Sequence, residues 1–214
     1  MRELDSVAGI AVSVEDDPPP IVRALANDLG AALADTSFAE ATHAATGVVA
    51  VRSALTPQAA TVKLGGGRVE LVHGVDGNAD VTATTDSSED GGAAIEGPAE
   101  LAGWAARLLD PPLPSLPEAA ERFWSVLSSR PGAPDALLVV EPRDGEQHRF
   151  GADEGRTCEL HGDGDGLLTV LTGRASAIEA AFIGAIRIRG TFPDISVLSG
   201  AGYEIRYGNG ALDG

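Results

Sequence analysis

The apolar positions change their period along the chain, and each change marks an element. Ile21, Leu25, Leu29 and Leu33 recur at every fourth residue with Val22 beside them. This spacing predicts an amphipathic helix over about 20–34 that extends to His43. Shorter runs rich in β-branched residues follow: Val48–Arg52, Thr61–Leu64, Arg68–Val72 and Asp80–Thr84 are expected strands. Gly65-Gly66-Gly67 parts the second from the third as a hairpin turn does, and Gly74 to Asn78 parts the third from the fourth. Ala94–Gly97 is a short strand candidate. Pro98 then opens a helix with Leu101, Trp104, Ala105 and Leu108 on one face. Ahead of the first helix, Ile10–Val14 alternates in and out, as an added edge strand or a loose arm. It belongs to an N-terminal arm over residues 1–20, which ends in the stiff run Asp16-Asp17-Pro18-Pro19-Pro20.

A second proline-rich run, Asp110 to Pro117, admits neither helix nor central strand, so the internal boundary falls there. The expected organisation is a unit over 21–110, a linker over 111–117 and a second unit over 118–214. After the break, Ser115 and Glu118 start a helix to about Ser129, with Ala120, Phe123, Trp124 and Leu127 on one side. Ala136–Val140, Gln147–Phe150, Thr157–His161 and Leu167–Leu171 read as strands, and Ala175–Ile183 as a short helix. Ile186-Arg187-Ile188-Arg189-Gly190 reads as a half-buried strand, Asp194 to about Ser199 as a helix, and Tyr203–Tyr207 as a closing strand.

The order of elements repeats, and some residues repeat with it. Arg68–Gly74 lines up with Arg156–Gly162 through its arginine, histidine and glycine, and Ile95-Glu96-Gly97 lines up with Ile188-Arg189-Gly190. A period this long implies duplication of a small domain, since solenoid repeats run to about 20–50 residues.

Length and charge narrow the function classes. The 214 residues are 43% hydrophobic and 22% charged, which excludes wholesale disorder. The net charge is −17, and both halves are acidic, which disfavours binding to nucleic acid or to anionic membrane surfaces. No apolar run has the length of a membrane span, so no membrane insertion is expected. The first residues lack the basic start and apolar run of a signal peptide, and the single Cys158 fits a reducing compartment. The expected location is cytoplasmic.

The stretch from Leu168 to Arg174, through Phe182-Ile183-Gly184-Ala185, to Ile186-Arg187-Ile188-Arg189-Gly190 resembles the C-terminal part of sterol carrier protein 2-like domains. There a strand leads to a short helix, an alternating strand ends in glycine, and a last helix, here Phe192 to Leu198, covers a cavity. The first half resembles the same unit, although the acidic loop Ser87–Gly92 stands where that family has a helix. The resemblance implies an α+β fold of two units, each a curved, mainly antiparallel sheet with helices on one face. It also implies an apolar cavity for a lipid, acyl chain or sterol-like molecule. The second half keeps the fuller pattern, so the expected ligand-binding residues are Phe123, Leu127, Phe182, Ile183, Phe192, Ile195 and Leu198.

Candidate chemistry is sparse. His43, His73, His148 and His161 have no metal-ligand spacing, and neither a metal nor a cofactor is expected. His73 and His161 each adjoin a glycine and are expected at exposed strand ends, without a catalytic part. Gly162-Asp163-Gly164-Asp165-Gly166 lacks the full ligand ladder of a calcium loop and reads as a hairpin turn. Arg187 and Arg189 are expected to face solvent while Ile186 and Ile188 face inward. The alternative is an arginine that holds a carboxylate at the cavity mouth. Three functions remain: a non-enzymatic binder or carrier of an apolar small molecule, an enzyme that isomerises or cyclises a hydrophobic metabolite, and an interaction protein that has lost its pocket.

Overall fold

Proline makes the break between units. In the computed structural model, which describes residues 1–3, 9–85, 92–143 and 145–208, the chain divides into Met1–Pro112 and Leu113–Gly208. The fold is α+β, with one open mixed sheet in each unit. Among the described residues no helix is long and apolar enough to cross a membrane. The acidic loop expected at 87–92 lies, apart from its last residue, outside the described residues.

In the first unit the expected long helix is two helices, α1 (Pro20–Leu33) and α2 (Thr36–Ala44). Asp35 makes the break, because its side chain accepts the free N–H groups of Ser37 and Phe38 at 2.7 and 3.4 Å. The strands are β1 (Arg2–Glu3), β2 (Ala11–Val14), β3 (Gly47–Ser53), β4 (Ala59–Gly65), β5 (Arg68–His73), β6 (Val81–Thr85) and β7 (Ala94–Glu96), and α3 (Ala99–Leu109) closes the unit. Their order in the sheet is β1-β2-β5-β4-β3-β6-β7. Residues 11–14 are therefore a strand of this sheet, parallel to β5, and not a separate arm. Gly66 and Gly67 supply the positive φ angles, +59° and +72°, that a tight β4–β5 hairpin needs. Between the helices Phe38 stacks on Trp104, with ring centroids 5.5 Å apart. The buried Thr42 hydroxyl accepts from the Trp104 indole at 2.9 Å and donates to the Phe38 carbonyl at 2.7 Å. Every polar atom of that contact is thus satisfied.

The second unit contains α4 (Leu116–Ser128), β8 (Ala136–Glu141), β9 (Glu146–Gly151), β10 (Thr157–Gly162), α5 (Gly164–Leu171), α6 (Ala177–Phe182), β11 (Ile186–Arg189) and α7 (Phe192–Tyr207). Ser115 donates its N–H and hydroxyl to Glu118 at the start of α4. The sheet order is β11-β10-β8-β9, with β10 parallel to β8 and the other pairs antiparallel. A core of Phe123, Leu127, Leu137, Val139, Leu160, Leu167, Leu171 and Leu198 lies between sheet and helices.

Two elements of the second unit differ from the sequence reading. Residues 167–171 are the end of helix α5, not a strand. Asp163 caps that helix by accepting from Gly166 N at 2.9 Å, and Glu141 accepts from Gly164 N at 2.9 Å. The Gly-Asp-Gly-Asp-Gly run is thus a helix start. A side chain at Gly166 would meet the Ala185 carbonyl at 2.8 Å. Leu167, Val170 and Leu171 bury one helical face, and a five-residue apolar run does not distinguish that pattern from a strand. Residues 203–207 are likewise the last turns of α7. Leu198, Ala201, Gly202 and Ile205 form its buried stripe, and the apparent alternation is a short window on a 3.6-residue period.

The two sheets share a neighbour pattern. Read from one edge, β7-β6-β3-β4 and β11-β10-β8-β9 have the same sequence of antiparallel, parallel and antiparallel pairings. In both, the edge strand leads into the closing helix, which agrees with the match of Ile95–Gly97 to Ile188–Gly190. The match of 68–74 to 156–162 is corrected by this topology: β10 corresponds to β6, whereas β5 is an added strand with no counterpart in the second sheet.

Phe123 has no exposed surface. Phe123→Ala is expected to lower stability by roughly 3–5 kcal/mol, read from the midpoint of urea unfolding. A loss below about 1 kcal/mol would mean that the second core is not packed as described.

Candidate functional site

Among the described residues strand β11 pairs with β10 on one side only, which leaves it at the edge of the sheet. The same strand alternates Ile186, Arg187, Ile188, Arg189, which places isoleucines and arginines on opposite faces. Helix α6 precedes it through Ile183-Gly184-Ala185, where Gly184 has φ +79°. Helix α7 follows it, begun by a reciprocal cap in which Asp194 accepts from the Thr191 N–H and hydroxyl, both at 2.7 Å. The three elements enclose a cleft of about 1060 Å³. Its apolar wall is built by Ile178, Ala181 and Phe182 of α6, Ile186 and Ile188 of β11, and Phe192 and Ile195 of α7. Arg143, His161, Asp163 and Arg187 add polar groups, and Ser196 and Ser199 add hydroxyls.

The side chains round this cleft are unusually uncovered. Phe182 is 87% exposed and Phe192 84%, and Ile183, beside the lining, is 82% exposed. Single exposed apolar residues need no explanation, but several gathered at one concave site mark a binding surface.

The residues expected to bind ligand separate into two groups. Phe182, Phe192 and Ile195 line the cleft. Ile183 stands next to them in solvent. Phe123, Leu127 and Leu198 are fully buried in the core among Leu137, Val139 and Leu160 and do not line it. The difference is one of helix faces. The inward side of α4 and of mid-α7 is taken up in the core, where these two helices pack on each other, whereas the start of α7 and the end of α6 face the cleft beside β11.

His161 is not at an exposed turn, as its glycine neighbour suggested. Strand β10 runs on into α5, and the ring is only 22% exposed. It lies 2.7 Å from Glu159 on the same face, and Arg189 is 3.6 Å from that carboxylate. The hydrogen bond from His161 foremost, and then the charges of His161 and Arg189, hold the Glu159 carboxyl below its usual range. The cross-strand register explains the grouping: Glu159 faces Arg189 and His161 faces Arg187. His73, by contrast, is exposed at the end of β5.

Cys158 points to the other side of β10. It is fully buried, and burial, then the charges of Asp194 and Glu159, push its thiol up to about 12. It stays a thiol at neutral pH and is no nucleophile. Among the described residues no group of three or more His, Cys, Asp or Glu side chains could hold a metal ion.

The arginine and histidine of the lining were legible only as alternation, since their meeting depends on the β10–β11 register. Comparison of the chain with protein-family models, with curated proteins and with solved structures finds no match to any of them.

Removal of the imidazole tests the polar group directly. A carboxyl depressed in the folded state stabilises it above the ordinary carboxylate range, and that contribution fades as pH falls through the depressed value. In His161→Ala the Glu159 carboxyl, followed by carbon-13 NMR, is expected to titrate closer to an unperturbed glutamate. An unchanged titration would assign the depression to Arg189 alone.

Proposed function

We propose that this protein binds an apolar small molecule, a lipid, acyl chain or sterol-like compound, in the second-unit cleft and carries it without chemical change. The observation that supports this most is the cleft at the β11 edge, with seven apolar lining residues on α6, β11 and α7 and two phenylalanines left almost wholly in water. Apolar area removed from water stabilises a complex by about 25 cal/mol per Å² before the costs of association. A ligand covering Phe182 and Phe192 therefore gains from surface the protein alone leaves uncovered. The likeness of residues 168–190 to sterol carrier protein 2-like domains supports the same reading.

The enzyme reading has one feature in its favour, His161 in the cleft lining with Glu159 bonded to it from behind. A general base works best with a pKa near the operating pH. Glu159 is displaced in the opposite direction, and its carboxylate is already engaged by His161 and Arg189. The pair therefore reads as a positioned charge and not as a catalytic base.

The neutral fluorophore Nile red tests the binding reading. Saturable binding is expected, and Phe182→Arg is expected to weaken it at least tenfold (about 1.4 kcal/mol) with an unchanged thermal midpoint, because that side chain packs little in the free protein. Absence of saturable binding, or equal affinity in the variant, would contradict the proposal.

A further inference from the structure

The unit Leu113–Gly208 is acidic, yet its arginines are unevenly engaged. Arg130 pairs with Glu204. Arg149 donates to the carbonyls of Ala152 and Asp153, and Arg156 to those of Gly132 and Ala133 while facing Asp194. Arg189 pairs with Glu159, and Arg174 and Arg206 have partners as well. Arg122, Arg143 and Arg187 have neither an ion pair nor a side-chain hydrogen bond among the described residues; Arg122 stands on α4 away from the cleft, whereas Arg143 and Arg187 line it. Asp163, in the same lining, accepts from Gly166 N, Glu141 accepts from Gly164 N, and Glu159 is bonded to His161. The cleft thus has an apolar wall and, in the same lining, two arginines without an ion pair among the described residues, Arg187 on β11 and Arg143 in the turn after β8.

We propose that the cleft selects a carboxylate-headed amphiphile, with Arg187 as the residue that reads the head group and Arg143 in support. This rests on the binding reading above and deepens it. Strand alternation separates the two ends of the ligand: the tail lies against Ile186 and Ile188 with the overhanging phenylalanines, and the head turns over the open strand edge to Arg187. A planar guanidinium matches a carboxylate with two parallel N–H···O bonds. A single negative charge suits this site better than a phosphate dianion, since Asp163 is part of the same lining and Glu159 lies one cross-strand position away. A neutral alcohol or sterol head would leave the guanidinium without its anion and gains less.

The test is displacement of Nile red by hexadecanoate, hexadecanol and hexadecyl phosphate, on the wild-type chain and on Arg187→Gln and Arg143→Gln. Hexadecanoate is expected to compete about tenfold better than hexadecanol, the scale of one charge-assisted hydrogen bond. It should also compete at least as well as the phosphate. With the two competitors compared on the same variant, Arg187→Gln is expected to reduce the preference over the alcohol to within about twofold, while Arg143→Gln reduces it partly. Equal competition by acid and alcohol on the wild type, or a preference that survives Arg187→Gln, overturns the head-group assignment while the apolar cleft stands. Tighter competition by the phosphate overturns the carboxylate choice. Failure of Nile red to bind at all removes the cleft reading, and this inference with it.

Discussion

Among the described residues strand β11 is paired on one side only, and the cleft of the second unit lies beside that edge strand. An open edge presents backbone polar groups and half-covered side chains, and proteins ordinarily blunt it with charge, bulges or a covering element. Here the strand is short, alternates isoleucine with arginine, and lies between two helices that overhang it. The arginines discourage edge-to-edge pairing with another copy, since antiparallel self-pairing about Ile188 would set Arg187 against Arg189. The isoleucines need cover on the other face: Ile186 is buried in the core, whereas Ile188 is covered only in part. What remains uncovered is the cleft.

The corresponding edge strand of the first unit, β7, is shorter and lacks such a pair of arginines: it reads Ala94-Ile95-Glu96. The shared neighbour pattern of the two sheets shows how one arrangement of strands can carry different surfaces. Strands β1, β2 and β5 extend the first sheet on the side away from β7. The second sheet keeps four strands and has two further helices, α5 and α6, between β10 and β11. The α6 insertion brings Ile178, Ala181 and Phe182 to the edge, so the cleft depends on residues for which the first unit has no counterpart among those described.

Much of this fold was legible in the sequence because its strongest signals are local. Prolines are excluded from helix interiors but fit a first turn, so the runs at 18–20 and 111–117 separate elements while Pro20 and Pro117 start α1 and α4, and the four-residue spacing of Ile21 to Leu33 suits only a helix. Gly66-Gly67 forms a turn on its own chemistry. The errors arose where local patterns compete. Leu167–Leu171 is as apolar as a buried strand, and only the Asp163 cap and its contact with distant Glu141 commit it to helix. Gly200 and Gly202 weaken the helical signal of α7, whereas packing of Gly202 against Gly173 rewards it. For the site, apolar character alone could not separate Phe123 and Leu198 from Phe182 and Phe192. Which of them sits over the sheet and which beyond its edge is decided by strand order, and strand order is a non-local property. The meeting of His161, Glu159, Arg187 and Arg189 depends on the same register.

The central claim is that apolar ligand enters at the β11 edge and nowhere in the sealed cores. Isoleucine methyl NMR reads this directly, because isoleucines are distributed among the cleft, the solvent and both cores. On titration with Nile red, the methyl signals of Ile178, Ile186, Ile188 and Ile195 are expected to shift in a saturable way. Those of Ile10 in the first core and Ile205 in the second are expected to stay in place. Shifts confined to Ile10 or Ile205, or uniform small shifts across all isoleucines, would contradict a binding site at the open edge.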